Sequence, residues 1–159
     1  MIYITIDDYL GPYKHSPEIT PEVVENAEGL LIAVNALLTE AVADGVTLLF
    51  NPYNHTHISG QGNGGVRPPS CLIGAARSTH KEGKGVDIYD PYREFAKWCY
   101  LHPERLHVHG LSMEDARWTP SWAHLQNRPP GPPGSSWRLD FIPDSSAPKA
   151  AALVGQKVA

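Results

Sequence analysis

The longest patterned segment of the chain, between Thr20 and Gly45, constrains the fold most. Thr20-Pro21-Glu22 has the residues of a helix start: an N-cap hydroxyl, a proline at the first helical position and an acid in the first turn. Gly45 is a typical helix stop. Apolar residues recur between them at helical spacing: Val23, Val24, Ala27, Leu30, Leu31, Val34, Leu37, Leu38, Ala41 and Val42. The sequence therefore predicts one helix, over about residues 20–44, that forms a wall of the core.

The rest of the pattern consists of short apolar runs separated by turns. The chain has 14 glycines and 15 prolines, so much of it is expected to be loop, above all residues 51–77. A second helix is predicted over about residues 91–102, because the proline that follows disfavours helix at residue 102. Short strands are predicted at residues 2–6, 46–50, 86–89, 106–109 and 122–126. These elements indicate an α+β fold, with a small antiparallel sheet and helices packed on one side of it.

Length, charge and cysteine content narrow the class of protein. The 159 residues are expected to form a single domain over 1–144, followed by a flexible tail over 145–159. A net charge of −4 argues against nucleic-acid binding, which needs a basic surface. The sequence begins without the basic and apolar regions of a secretory signal, and an apolar run of about 20 residues is not evident. We therefore expect cytoplasmic synthesis, no membrane insertion, and reduced thiols at Cys71 and Cys99.

Residues suited to chemistry are concentrated in one glycine-containing string, STHKEGKGVD, over residues 78–87. His80 lies in a predicted loop, and Asp87 lies on a predicted strand, on the face opposite to its apolar neighbours. An imidazole nitrogen and a carboxylate oxygen suit zinc, and a catalytic zinc site takes a third protein ligand. His124, on the predicted strand 122–126, is the best candidate. The alternative is that His80 merely caps a turn and Asp87 pairs with a lysine.

This string and the later Trp-Ala-His over residues 122–124 together resemble a known zinc peptidase family. It is the D-alanyl-D-alanine carboxypeptidase and L-alanyl-D-glutamate endopeptidase family, of the hedgehog/DD-peptidase fold, and the flanking residues look like a phage-encoded subgroup. The resemblance covers roughly residues 46–128, and its motif positions are Ser78, His80, Gly83, Gly85, Asp87 and His124. It implies zinc held by His80, Asp87 and His124, in a cleft on the side of the sheet away from the helices.

The chain departs from this family at the position of the catalytic acid. Members usually carry an acidic residue three positions before the last histidine, where it acts as general base, and here that position is Ser121. A serine hydroxyl cannot take up a proton in this way at neutral pH. The nearest upstream acids are Glu114 and Asp115, and either could fold back over the metal. The alternative is that both are acids in the first turn of a short helix after Ser112.

Three further residues are candidates for binding a substrate. Arg67 lies thirteen residues before His80, where the family often has an arginine that holds a substrate carboxylate or the polarised carbonyl. The planar guanidinium suits that task because it grips a carboxylate through two hydrogen bonds. Ser78 either braces the ligand loop or contacts substrate, and His109 could line the cleft and stabilise a transition state. The alternatives are a solvated loop arginine and an ordinary turn hydroxyl.

Other histidines and aromatic residues leave alternatives open. Two pairs of histidines have the spacing of neighbours on one strand face, His55/His57 and His107/His109. Neither pair has a matched acid or cysteine close by in the sequence, so neither is preferred as a metal site. Three aromatic residues either face a substrate or pack in the core or at its rim: Tyr89, Trp118 and Trp122.

The resemblance implies a zinc metallopeptidase that hydrolyses an amide bond in the stem peptide of peptidoglycan, as a carboxypeptidase or as an endolysin-type endopeptidase. Such a protein would reach the cell wall after release from the host cell or as a component of the virion. The rival interpretation is a non-catalytic zinc-binding module of a phage, with a structural or wall-recognition role. Ser121 in place of the usual acid is the main support for that rival. The sequence does not indicate an oligomeric state.

Overall fold

The computed structural model describes residues 1–131 and 141–142. Its helices are α1 (Ile6–Leu10), α2 (Pro21–Ala43), α3 (Glu94–Leu101) and α4 (Pro103–Val108), with 3₁₀ turns at Gly11–Tyr13 and Thr79–Glu82. Its strands are β1 (Gly85–Tyr89), β2 (Ser112–Glu114), β3 (Trp122–Gln126) and β4 (Phe141–Ile142). The strands form one antiparallel sheet in the order β1-β3-β2-β4. The predicted α+β class is therefore confirmed, whereas the expected tail over 145–159 lies outside the described residues.

Helix α2 forms the main wall of the core, as its sequence pattern predicts. The Thr20 hydroxyl accepts a hydrogen bond from the amide of Val23, and the helix ends at Ala43, with Asp44 as its C-cap. Seven of the ten apolar residues at helical spacing are buried: Ala27, Leu30, Leu31, Val34, Leu37, Leu38 and Ala41. Val23 and Val24 are only partly buried, and Val42 is exposed. The Asp44 carboxylate also accepts a hydrogen bond, at 3.0 Å, from the indole nitrogen of Trp98, so α2 is tied to α3 at this end.

The two faces of the sheet differ in character. Val86 and Ile88 on β1 and Leu125 on β3 are fully buried, and they belong to the same hydrophobic cluster as the α2 residues. The alternating positions on these strands, Asp87 and His124 among them, therefore point away from this core. The sheet thus buries one face against the helices and presents polar side chains on the other.

Three predicted strands are wrong. Residues 2–5 are not in a strand, and α1 begins at Ile6 because Thr5 and Asp8 form a reciprocal capping box. Residues 46–50 pair with no strand in the described part of the chain, and the Phe50 side chain is 64% exposed. The segment 106–109 falls in and just after α4, which starts with Pro103 at its first position.

The remaining predicted elements agree more closely with the structure. The strands predicted at 86–89 and 122–126 are confirmed as β1 and β3, and residues 51–77 are loop apart from one isolated bridge between Ile58 and Ile88. The helix predicted over 91–102 is shorter, because the turn at Asp90 delays its start to Glu94. The Asp90 carboxylate accepts hydrogen bonds from the amides of the first turn of that helix.

Within residues 1–131 and 141–142, α2 alone is long and apolar enough to cross a membrane, with a mean hydropathy of 1.2. The apolar positions of α2 do not form a continuous run of that length, because polar residues such as Glu25, Glu28 and Asn35 lie between them. Core helices of soluble proteins and signal sequences have the same length and composition. One face of α2 is buried in the hydrophobic core, and the absence of membrane insertion stays a prediction.

Candidate metal centre

Strand register brings two of the three predicted ligands together. Asp87 on β1 lies directly opposite His124 on β3, and His124 Nδ1 is 2.8 Å from Asp87 Oδ1. The third, His80, comes from the 3₁₀ turn before β1, with Nε2 3.3 Å from the same Asp87 oxygen. One ligand atom from each residue lies within 4.8 Å of the other two, and all three residues are buried. This buried cluster can hold a metal ion.

In each imidazole, the ring nitrogen that points away from the cluster forms a hydrogen bond, and this bond orients the other nitrogen towards the cluster. His80 Nδ1 lies 2.7 Å from the carbonyl oxygen of Gly65, which can only accept, so Nδ1 carries the proton and Nε2 keeps its lone pair. His124 Nε2 lies 3.3 Å from Gln126 Oε1. The Gln126 amide nitrogen in turn donates to the carbonyl of Arg128, which fixes this orientation. Nε2 of His124 therefore carries a proton. Its Nδ1, which without a metal donates to the ionised Asp87, becomes a ligand atom when that second proton is released.

Glycines allow the ligand loop to lie close to its neighbours. A Cβ at Gly85 would collide with the Thr79 hydroxyl and come 3.1 Å from Cε1 of the His124 ring. Gly83 ends the 3₁₀ turn in the left-handed region, with φ +72°, and a Cβ there would collide with the carbonyl of Val23 in α2. The string over residues 78–87 thus needs glycine at these positions to place His80 beside the sheet.

Ser78 braces this loop. Its hydroxyl caps the 3₁₀ turn by accepting a hydrogen bond from the amide of His80 at 3.4 Å. Of the two alternatives for Ser78, the structure shows the bracing role, and a contact with substrate stays a prediction.

The charges in the cluster set its protonation states. Burial raises the pKa of Asp87, but its interactions with the His80 and His124 imidazoles outweigh burial and hold this pKa far below its usual range. Burial lowers the pKa of His80, so its imidazole is neutral near pH 7. For His124 burial acts in the same direction, but the hydrogen bond and the charge of Asp87 outweigh it and raise the pKa. The cluster therefore offers a metal ion three ligands: an ionised carboxylate, a neutral imidazole, and an imidazole that must lose a proton before it can bind.

Two nitrogens and one carboxylate oxygen form a donor set that suits zinc, and three protein ligands leave one position for water or substrate. Neither soft thiolates nor a set of oxygens alone, which would favour other metals, is present in this cluster. The alternative that Asp87 pairs with a lysine is wrong, because its partners are the two imidazoles and Arg67.

Arg67 lies at the cluster, and its role in binding a substrate stays a prediction. A terminal guanidinium nitrogen is 3.3 Å from Asp87 Oδ2, and both side chains are 11% exposed. Its Nε donates to the carbonyl of Asn63 at 2.6 Å, and the other terminal nitrogen donates to the carbonyl of Ile73 at 3.4 Å. Arg67 is therefore a fixed, mostly buried cation rather than a solvated loop arginine.

The two candidate acids lie in different surroundings. Strand β2 pairs with β3 through Ser112–Gln126 and Met113–Leu125, so Glu114 follows in register beside His124, and its charge helps to raise the pKa of that histidine. The proposed helix after Ser112 is wrong, since this segment is β2. Asp115 instead faces Arg117, with a shortest contact of 2.6 Å. Because Asp115 is held there, the structure supports Glu114 and not Asp115 as the acid beside the cluster.

His109 is not brought to the cluster. Its Nε2 lies 2.9 Å from Glu40 of α2, so it cannot line the cleft as predicted. The reason is that the segment around His107 is helix α4, which also removes the proposed pairing of two imidazoles on a strand face. His57 stacks on Phe50 with ring centroids 4.2 Å apart, whereas His55 is exposed, so this pair does not converge on one point either.

Sequence reasoning missed the residues that support the ligands from outside the motif. The Tyr9 hydroxyl of α1 donates to the carbonyl of Gly85 at 2.9 Å, and the Tyr9 carbonyl accepts from the amide of Val66. Burial and the nearby Asp87 charge raise the Tyr9 pKa, so it stays a neutral donor. Tyr9 lies in a segment predicted as a turn after a strand, and no local signal marks it. Gln126 was within reach of prediction, since it lies two residues after His124 on the same strand face.

Comparison of the chain with family models, with curated proteins and with solved structures gives no match. What this centre does must therefore be argued from its own residues.

Proposed function

We propose that the protein is a zinc-dependent peptidase that hydrolyses an amide bond in the stem peptide of peptidoglycan. The observation that carries this proposal is the convergence of His80 Nε2, Asp87 Oδ1 and His124 Nδ1 within 4.8 Å, with a cation and an acid on either side. The substrate class comes from the motif resemblance, which implies D-residues near the bond that is cut. The same resemblance suggests a phage protein that meets the cell wall after release or in the virion.

Each residue at the centre has a separate task in this mechanism. A bound zinc ion would polarise the scissile carbonyl and make water more acidic. Glu114 would accept the proton of the attacking water and pass it to the leaving amine. Arg67 donates three of its five N–H groups to Asp87, Asn63 and Ile73, and the two that remain would bind a carboxylate or carbonyl of the substrate. Ser78 keeps His80 in position through the capped 3₁₀ turn.

A second candidate function is supported by one observation, the serine at position 121. Where the resembled family carries its catalytic acid, Ser121 offers no group that titrates near neutral pH. A zinc-binding module that recognises the cell wall without cutting it would need the ligands but not an acid. The two functions differ in whether Glu114 does the work of that acid.

Incubation of purified peptidoglycan with the protein, with and without a chelator, separates the two functions. The peptidase predicts new amino termini that disappear with the chelator and in His80→Ala, while the exposed control His15→Ala remains active. Glu114→Gln should keep its zinc and lose at least about a hundredfold in rate, the contribution typical of a general base. Bound zinc without new amino termini would instead support the non-catalytic module.

A further inference from the structure

On the face of the sheet that carries the metal cluster, β1 and β3 have a second pair of side chains beside the ligands. In the β1–β3 register, Asp87 is opposite His124, and the next pair on the same face is Tyr89 opposite Trp122. Residues two apart on a strand point to the same side, so this aromatic pair lies next to the ligands rather than in the core. The intervening pair, Ile88 opposite Ala123, is fully buried on the other face.

Both residues are partly buried, and they form the last pair of the β1–β3 register, at one end of these strands. Within the part of the chain that the structure describes, neither ring stacks on another aromatic residue, and neither side chain forms a hydrogen bond. A phenol and an indole in this state offer an apolar surface with one polar edge each. Tyr89 and Trp122 therefore form a surface beside the metal centre that a bound molecule can cover.

We propose that Tyr89 and Trp122 form a subsite for an apolar side chain of the substrate, next to the bond that is cut. Adjacent rows on one strand face are about 6.8 Å apart. An extended peptide rises about 3.3–3.6 Å per residue, so a carbonyl at the metal places a side chain one or two residues away over the ring pair. The rings carry no charge, so they favour an apolar group over a carboxylate at this position. This inference rests on the proposed hydrolysis at the metal, and it adds which kind of substrate side chain the site prefers.

Small hydroxamates test the subsite without any turnover, because the hydroxamate group binds zinc and its substituent reaches the neighbouring surface. The three probes are acetohydroxamate, 3-phenylpropionohydroxamate and succinic monohydroxamate. The zinc-loaded protein should bind the phenyl compound at least about tenfold more tightly than acetohydroxamate, since each buried CH₂ contributes roughly fourfold. The succinic compound, with its carboxylate, should gain nothing.

The variant Trp122→Ala should reduce the preference for the phenyl compound to less than about threefold, while its zinc affinity, measured by competition with a colorimetric chelator, stays the same. Trp118→Ala is the matched control, because this indole is 48% exposed but lies outside β3. It should keep the full preference. If circular dichroism shows that Trp122→Ala has lost its fold, Trp122→Gln takes its place, since it keeps much of the bulk and removes the ring.

The outcomes separate this inference from the proposed function. Equal affinity for the phenyl and methyl compounds, or the same loss in the Trp122 and Trp118 variants, overturns the subsite even if peptides are cut. The subsite is also overturned if none of the three hydroxamates binds the zinc-loaded protein. A retained preference for the phenyl compound without cleavage of peptidoglycan supports the subsite and contradicts the stem peptide as substrate.

Discussion

Replacement of Asp87 by asparagine tests whether one carboxylate organises the whole centre. Asp87 Oδ1 contacts His124 at 2.8 Å and His80 at 3.3 Å. Its Oδ2 contacts Arg67 at 3.3 Å. Asparagine keeps the shape of the side chain but not its charge, so the Arg67 guanidinium loses its counter-ion in a place where only 11% of that side chain is exposed.

The expected loss follows from burial. Removing one partner of a buried ion pair costs about 3–5 kcal/mol, and the amide of asparagine recovers part of this through its own hydrogen bonds. We therefore expect the metal-free Asp87→Asn protein to lose about 3 kcal/mol in free energy of unfolding.

The loss should also depend on pH. The Asp87 pKa is lowered in the folded state, so the stability it contributes is present above its unfolded pKa of about 3.9 and lost as the pH falls through the folded value. The His124 pKa is raised, so its contribution is complete below its unfolded pKa of about 6.5 and lost as the pH rises through the folded value. The effect of Asp87→Asn is therefore largest between these two limits, near about pH 5.5.

Urea unfolding in the presence of a chelator measures this difference for the wild-type protein and the variant. Asp7→Asn is the matched control: Asp7 also forms an ion pair, 2.7 Å from Lys14, but both side chains are largely exposed. An exposed pair contributes about 0–1 kcal/mol, so the control should change little. If Asp87→Asn destabilises the protein by no more than Asp7→Asn does, the carboxylate does not organise the centre, and the argument is wrong.

Two further predictions concern zinc. Zinc affinity should fall by about tenfold for each unit that the pH drops below the raised pKa of His124, because a protonated imidazole cannot bind metal, and titration with a colorimetric zinc indicator at several pH values measures this. A pH-independent affinity would exclude His124 as a ligand. Gly85→Ala should lower zinc affinity by about tenfold or more, because the added Cβ collides with Thr79 and crowds the His124 ring; unchanged affinity in the folded variant would show that the ring has room to move.

Spacing alone made His80, Asp87 and His124 candidate ligands, and the resemblance to the zinc peptidase family is what singled them out from the alternative of a turn cap and a lysine pair. A histidine and an aspartate separated by glycines, followed by a histidine on an alternating strand, restrict the possible geometry even without coordinates. Asp87 and His124 lie opposite each other in the sheet, and strand alternation already places each of them on a polar face. The support from Tyr9 was not predictable, since it depends on how α1 packs against the ligand loop and not on any local pattern.

The wrong strands show where short patterns fail. Four or five residues such as those at 106–109 fit a strand and a helix equally well, and Pro103 at the first position of α4 decides between them. At the N-terminus, Thr5 and Asp8 have the spacing of a capping box, a signal that outweighs the β-branched residues before it. At 46–50 the apolar run finds no partner strand in the described part of the chain, so propensity alone does not make it a strand.

Glu114 and Asp115 are adjacent in the chain, but strand register determines which of the two acids lies beside the metal cluster. Successive residues at the end of β2 point to opposite sides, so only one of two adjacent acids can reach the ligand face. The pairing of β2 with β3 gives that place to Glu114, and Asp115 turns to Arg117 and becomes part of the packing. The family position that Ser121 leaves without an acid comes just before β3, whereas Glu114 lies beside the same histidine on the neighbouring strand. An acid supplied across the sheet would therefore replace one supplied along the chain, and the rate of Glu114→Gln decides whether it does.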